Sequence, residues 1–198
     1  MNQERIKKIL GELISCRTVN DELVGSEEEF DRAWYIIDIA MKGIKDWGYK
    51  EYEFGGYKTR VYSHQKYIKQ GSKDFSVYLY GHIDVVAGHE EQFFSFYDEN
   101  SDRFYGRGAA DFKYSIAVAI ETLMELQEVS SDKLEQPIAL VLVSDEEIGG
   151  QDGVKALIEK EGYTGKIVII PDGDYSEQDF LLELANKGAI HTHFTAEG

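Results

Sequence analysis

Apolar residues recur every three or four positions through the first part of the chain and then give way to short unbroken runs. Between residues 3 and 16, Ile6, Ile9, Leu10, Leu13 and Ile14 make one stripe, which predicts an amphipathic helix lying on a core. A second helix is predicted from Phe30, Trp34, Ile37, Met41 and Ile44, which share a face. Ser26 with Glu29 three residues on predicts a capping box at its start, and Gly48 a stop near its end. Residues 49–63 alternate aromatic and polar side chains around Gly55 and Gly56, the pattern of a hairpin at a sheet edge.

Beyond this point strands alternate with helices. Residues 75–80, 138–143 and 166–170 are the predicted strands, and residues 112–129 and 152–161 the predicted helices between them. Strands that are apolar throughout and separated by helices imply an α/β protein with a largely parallel sheet covered on both faces. Residues 180–185 and 188–196 alternate apolar and polar instead, and Asn186 and Lys187 form the turn between them. The second of these strands runs on to Gly198 without a cap, which reads as a chain stopping inside a structural unit.

Composition narrows the function. Against 21 lysines and arginines stand 37 aspartates and glutamates, for a formal charge of −16, so the surface repels phosphate backbones and anionic lipid. Neither nucleic acid nor a membrane is an expected partner. The longest apolar run is six residues, Ile138–Val143, against the roughly 20 a membrane helix needs. The N-terminus has no signal-peptide core, which makes the cytoplasm the default compartment. The single cysteine, Cys16, fits that and reads as a packing residue.

The chemistry collects where the apolar runs end. Gly81, His82, Ile83 and Asp84 follow the first run, Ser144 to Gly150 with Asp145, Glu146 and Glu147 the second, and Pro171, Asp172, Gly173 and Asp174 the third. Ligands of open α/β sheets bind off the carboxyl ends of the strands, so the three clusters are expected to meet in one crevice, with Asp111 joining them at the start of the helix that follows. Asp84, Asp111, Glu146, Glu147 and Asp172 then place five carboxylates beside one imidazole. Such a set opposes folding unless a cation sits among them, and the imidazole selects zinc, or manganese or cobalt in its place, over calcium or magnesium. Residues i and i+2 of an extended segment point the same way, so Asp84 can accept the second N–H of His82. Glu146 and Glu147 are neighbours and diverge, so that one can bind metal while the other faces water as a general base.

The runs YLYGHIDVVAG (residues 78–88), FYGRGAADFK (104–113), SDEEIGG (144–150) and PDGD (171–174) resemble, in order, the signature of the zinc-dependent aminoacylase, acetylornithine deacetylase, succinyl-diaminopimelate desuccinylase and glutamate carboxypeptidase family of metallopeptidases. The resemblance implies a three-layer sandwich of the phosphorylase/hydrolase-like kind with a largely parallel mixed sheet. It implies two zinc ions per complete site, with cobalt or manganese as substitutes: His82 and Asp172 on one, Glu147 on the other and Asp111 bridging. Asp84 would support His82, Glu146 would be the general base, and the peptide bond from Asp111 to Phe112 would be cis. This chain departs from the family's usual pattern at Ala87, where proline is usual, and at Tyr114, where glycine is usual, so the helix entrance after Asp111 is expected to pack differently. In the family a lid or dimerisation domain interrupts the catalytic domain, and the last zinc ligand is a histidine from the returning segment. On that pattern residues 1–186 are the N-terminal part of the catalytic domain, C-terminally incomplete. Residues 187–198 begin the lid, through which a homodimer would form.

The expected activity is metal-dependent hydrolysis of an amide or peptide bond in a small N-acyl amino acid or dipeptide, through a zinc-activated water. The alternative is a non-catalytic metal-binding fragment, or one half of a split enzyme that needs a second chain. Other polar residues read as bystanders or structural groups: His64 and His89 as exposed, Arg107 as a loop tie to a neighbouring carboxylate, Asp145 and Asp174 as caps or turns. His191 and His193 share one face of the last predicted strand.

Overall fold

Ile138–Val143, the β6 strand of this fold, splits its side chains evenly between two cores, and the rest of the molecule is arranged around that division. Ile138, Leu140 and Leu142 point to one face of the sheet and Ala139, Val141 and Val143 to the other. A run apolar throughout is therefore a strand buried on both sides, as its sequence implies. The computed structural model describes residues 1–21, 25–129 and 136–172.

In chain order the other elements are α1 (Gln3–Ile14), α2 (Glu27–Met41), β1 (Trp47–Phe54), β2 (Tyr57–His64), α3 (Gln65–Gln70), β3 (Asp74–His82), β4 (Phe96–Asp98), β5 (Arg103–Tyr105), α4 (Lys113–Val129), α5 (Val154–Glu161) and β7 (Thr164–Ile169). The main sheet has the order β1-β2-β6-β3-β7. β3 pairs in parallel with β6 and β7, whereas β2 is antiparallel to both β1 and β6. Four of the five strands thus run one way and β2 opposes them. β1 and β2 meet at Gly55 and Gly56, both at positive φ (58° and 89°), the conformation that a two-residue hairpin turn requires.

Helices α1, α2 and α4 cover one face, where Leu13, Ile14, Trp34, Ile37, Ile116, Ile120 and Leu123 pack with Tyr62, Leu140 and Leu142. On the opposite face Leu157 of α5 joins Tyr52, Val61, Phe75, Tyr78 and Tyr163, with Tyr67 of α3 packed against them. The chain leaves β3 through α4 on the first face to reach β6, then leaves β6 through α5 on the second face to reach β7. Connections from two adjacent parallel strands thereby depart to opposite sides, which opens a crevice at the carboxyl ends of β3 and β6.

Several local expectations change. Ser26 does start α2, but its side chain caps nothing; Glu29 instead accepts from the Arg17 backbone N–H at 2.9 Å, so no capping box forms. A 3-10 turn at Glu90–Phe93 and the β4–β5 hairpin, neither of them among the predicted elements, lie between β3 and α4. β7 was expected to be covered on both faces. Among the described residues, its Ile167, Val168 and Ile169 are about half exposed. The two late strands, the turn at Asn186 and Lys187, Asp174, His191, His193 and the boundary at residue 186 all lie outside the described residues.

Candidate metal centre

His82 is the last residue of β3 and is fully buried. Its Nδ1 lies 3.0 Å from the backbone carbonyl of Asp84 and 3.4 Å from that residue's Oδ1. Only acceptors face this nitrogen, which assigns to it the single ring proton of the neutral imidazole, the form that binds a metal ion. The shorter contact is to the carbonyl. Asp84 therefore orients the ring mainly through its backbone, and its carboxylate adds charge, which refines the expectation of a side-chain hydrogen bond. The Asp84 carboxylate is itself buried and holds the next loop: its Oδ2 accepts from the Glu147 backbone N–H at 2.9 Å and from Asn20 Nδ2 at 3.0 Å.

The other ring nitrogen, Nε2, is buried and makes no hydrogen bond. It faces Asp111 Oδ1 at 3.2 Å and Glu146 Oε2 at 3.8 Å. One ligand atom from each of His82, Asp111 and Asp172 lies within 4.8 Å of the other two, a group able to hold a metal ion. A buried imidazole nitrogen without a hydrogen-bond partner, beside two carboxylates that reach solvent, is a donor set suited to a divalent cation. The residues present fit such an ion.

The three sequence clusters and Asp111 thus do converge. Glu146 and Glu147 lie in a 3-10 turn after β6 and are half buried. Glu146 approaches His82; Glu147 lies outside the set of three that closes to 4.8 Å but is within electrostatic reach of Asp111. The peptide bond between Asp111 and Phe112 is cis, as expected.

Electrostatics mark the site as cation-seeking. Burial acts against the charged imidazole of His82, but the carboxylates of Asp84 and Glu146 outweigh it and raise the group from 6.5 to about 9. Burial, then the negative charge of Asp111, pushes Glu147 up to about 7. Burial also raises Glu146, with Asp84, Asp172 and Asp111 adding to it against His82. Protons are retained where a cation would otherwise balance the charge.

The supporting residues were not visible in the sequence. Asn20 Nδ2 also donates to the Ser144 carbonyl at 2.8 Å, joining the loop after α1 to the loops after β3 and β6. Lys113 is buried, and its Nζ donates to the carbonyls of Leu13 and Cys16 at 2.9 and 2.8 Å, closing the C-terminal end of α1 against the segment that carries Asp111. Gly108, at φ 84°, makes room for it, since a Cβ there would stand 2.8 Å from Lys113 Cδ. The one hint for Lys113 was its place at the end of the 104–113 run, two residues after Asp111. Asp145 behaves as expected, its Oδ2 accepting from the backbone N–H groups of Asp152 and Gly153 ahead of α5. Arg107 ties its loop to the Ala87 carbonyl and to Gln92 Oε1, not to a carboxylate as expected. His64, half-buried rather than exposed, accepts the Lys66 backbone N–H on its Nδ1 at the start of α3, whereas His89 is exposed as expected and its backbone N–H donates to Gln92 Oε1.

Residues 78–186 match the peptidase family M20/M25/M40, a stretch that covers more than half of the chain and begins in β3. The chain belongs to this family. Among M20 relatives, the cysteinylglycine-S-conjugate dipeptidase of Corynebacterium striatum is 35% identical over 104 residues, covering 50% of this chain and 22% of that protein. Succinyl-diaminopimelate desuccinylase of Rickettsia massiliae (strain Mtu5) is 25% identical over 199 residues, covering 96% of this chain and 49% of that protein. In fold the chain is similar to the M20 family metallo-carboxypeptidase Sso-CP2 from Sulfolobus solfataricus, with a TM-score of 0.61 and 20% identity over 86% of this chain and 37% of that one. The chain spans about half the length, or less, of these relatives. Among the described residues, no helix is long and apolar enough to cross a membrane.

Proposed function

We propose that the chain supplies the metal-binding core of a metal-dependent hydrolase that cleaves an amide or peptide bond in a small N-acyl amino acid or dipeptide. The observation that carries this reading is the buried, unpartnered Nε2 of His82 facing Asp111 within a cluster that also includes Asp172. The dipeptidase and desuccinylase relatives support an amide substrate. We assign His82, Asp111 and Asp172 as ligands of a first ion, Glu147 with Asp111 as ligands of a second, and zinc as the metal, with cobalt or manganese able to replace it. The first ion has three protein ligands in this chain and the second two, so the first is the tighter.

A divalent ion bound here supplies Lewis-acid polarisation of a carbonyl and acidification of a water. The chain's own residues do the rest. Asp84 fixes the tautomer and direction of His82 from below. Glu146, on the solvent side of the imidazole, takes a proton from water on its carboxylate and delivers it to the leaving amine.

Substituting Glu146→Gln separates binding from chemistry. In a chain of the relatives' full length, hydrolysis of dipeptides and N-acyl amino acids should fall at least about 100-fold with Zn2+ affinity nearly unchanged. Retained turnover would remove Glu146 from the role of base. If the unsubstituted full-length protein binds Zn2+ but hydrolyses no amide, the reading of the chain as a non-catalytic metal-binding module replaces this one.

A further inference from the structure

Tyr114, in the first turn of α4, makes a contact that plays no part in the metal centre described above. Its hydroxyl donates to the backbone carbonyl of Pro171, the residue immediately before Asp172. That carbonyl belongs to the peptide plane from which Asp172 starts, and the proline ring already fixes its own φ. The orientation of the chain entering Asp172 is thereby held from both sides.

The same tyrosine is part of a ladder of rings. Its ring meets the fully buried Phe112 edge-on, with centroids 5.9 Å apart and planes at 80°. Phe112 in turn lies flat on the His82 imidazole, at 5.1 Å and 10°. Phe112 is also covalently next to Asp111. The three residues of the metal cluster come from the end of β3, the entrance of α4 and the segment after β7, and one path of contacts from the first turn of α4 reaches all of them.

We propose that Tyr114 is a positioning residue that latches the segment after β7 to α4 and so presets Asp172 against His82 and Asp111 for metal binding. The proposal rests on the assignment of those three residues as ligands. Asp172 is exposed and begins just past a strand whose side chains are half exposed, so loosening the latch leaves more of the ordering of its carboxylate to be done when the ion binds. The cost of that ordering would appear as weaker affinity.

The test is a double-mutant cycle on the 198-residue chain, with Zn2+ dissociation constants measured by competition against a chromophoric chelator, and metal-free melting temperatures recorded alongside. Tyr114→Phe, which removes only the hydroxyl, should weaken Zn2+ binding about tenfold, the effect of one lost supporting contact on a ligand. Tyr114→Leu should do the same or more and serves if the first variant folds poorly. In an Asp172→Ala background, Tyr114→Phe should change affinity by less than about twofold, because the residue it acts through is gone. Unchanged affinity in Tyr114→Phe, or an equal loss in both backgrounds, would overturn the latch while leaving the metal site intact. Asp172→Ala binding as tightly as the unsubstituted chain would remove Asp172 as a ligand and the latch with it. A chain that takes up no Zn2+ would defeat both readings.

Discussion

Replacing Asp84 by asparagine keeps the shape of the residue that supports His82 and removes its charge. The amide oxygen can still accept from the Glu147 backbone N–H and Asn20 Nδ2, as Oδ2 does at 2.9 and 3.0 Å, and the Asp84 carbonyl is untouched. What changes is the balance on the imidazole. In the metal-free protein His82 is raised from 6.5 to about 9, against its burial, by Asp84 first and Glu146 second. At about 1.4 kcal/mol per pH unit, this displacement corresponds to about 3 kcal/mol of stability. The sign follows from proton uptake: between pH 6.5 and about 9 the folded state binds the His82 proton and the unfolded state does not. The contribution is therefore complete below about pH 6.5 and is lost as pH rises through about 9. In Asp84→Asn burial is opposed mainly by Glu146, so the pKa of His82 drops and this pH dependence largely disappears. Urea unfolding in excess EDTA at several pH values between 6 and 10 measures the stability difference between the two proteins, in which groups that do not feel Asp84 cancel and Glu147 and Lys113, for which burial is a larger cause than Asp84, add a smaller part. The difference should shift by about 2–3 kcal/mol across that window, with the unsubstituted protein losing relative stability as pH rises. A difference independent of pH would refute the account of how Asp84 acts.

Two predictions concern the scaffold beneath the site. In Gly153→Ala the new Cβ would lie 1.9 Å from Asp145 Oδ1, so the carboxylate must leave the two backbone N–H groups it serves; chemical denaturation should show a loss of about 2–4 kcal/mol, and an unchanged midpoint would show that Asp145 is free to move. Lys113→Met keeps much of the stem but leaves the Leu13 and Cys16 carbonyls without their buried donor. Burial already pulls the Lys113 ammonium down to about 8, so part of the loss is offset by relief of desolvation, and a net destabilisation of about 1–3 kcal/mol is expected by the same assay; a stabilised variant would mean that desolvation outweighs the two hydrogen bonds.

The parts of this protein that could be read in advance are those whose cause is local. The stripe Ile9, Leu10, Leu13 and Ile14 is buried on α1, and the run Ile138–Val143 is a strand to the residue, because side-chain period and burial on both faces are written into consecutive positions. The hairpin at Gly55 and Gly56 was legible because a two-residue turn needs positive φ at both. The convergence of the acidic clusters was legible because each follows an apolar strand directly, and strand ends in such sheets meet. The capping box failed where Glu29 found a better donor outside its helix, in Arg17. The β4–β5 hairpin was missed because its strands are three residues long, too short for a period.

What holds the cluster in place depended on the assembled sheet. Asn20 meets Ser144 across 124 positions, Lys113 meets Leu13 across 100 and Tyr114 meets Pro171 across 57. No pattern in neighbouring residues marks such partners, because a hydrogen bond is decided by a few ångströms of separation in space and not by distance along the chain. The sequence by itself determined which residue types collect at the carboxyl ends of the strands. Only the tertiary structure decided that His82 would be buried with one nitrogen satisfied and the other left open, since that depends on the departure of α4 and α5 to opposite faces and on the loops that close around the crevice between them.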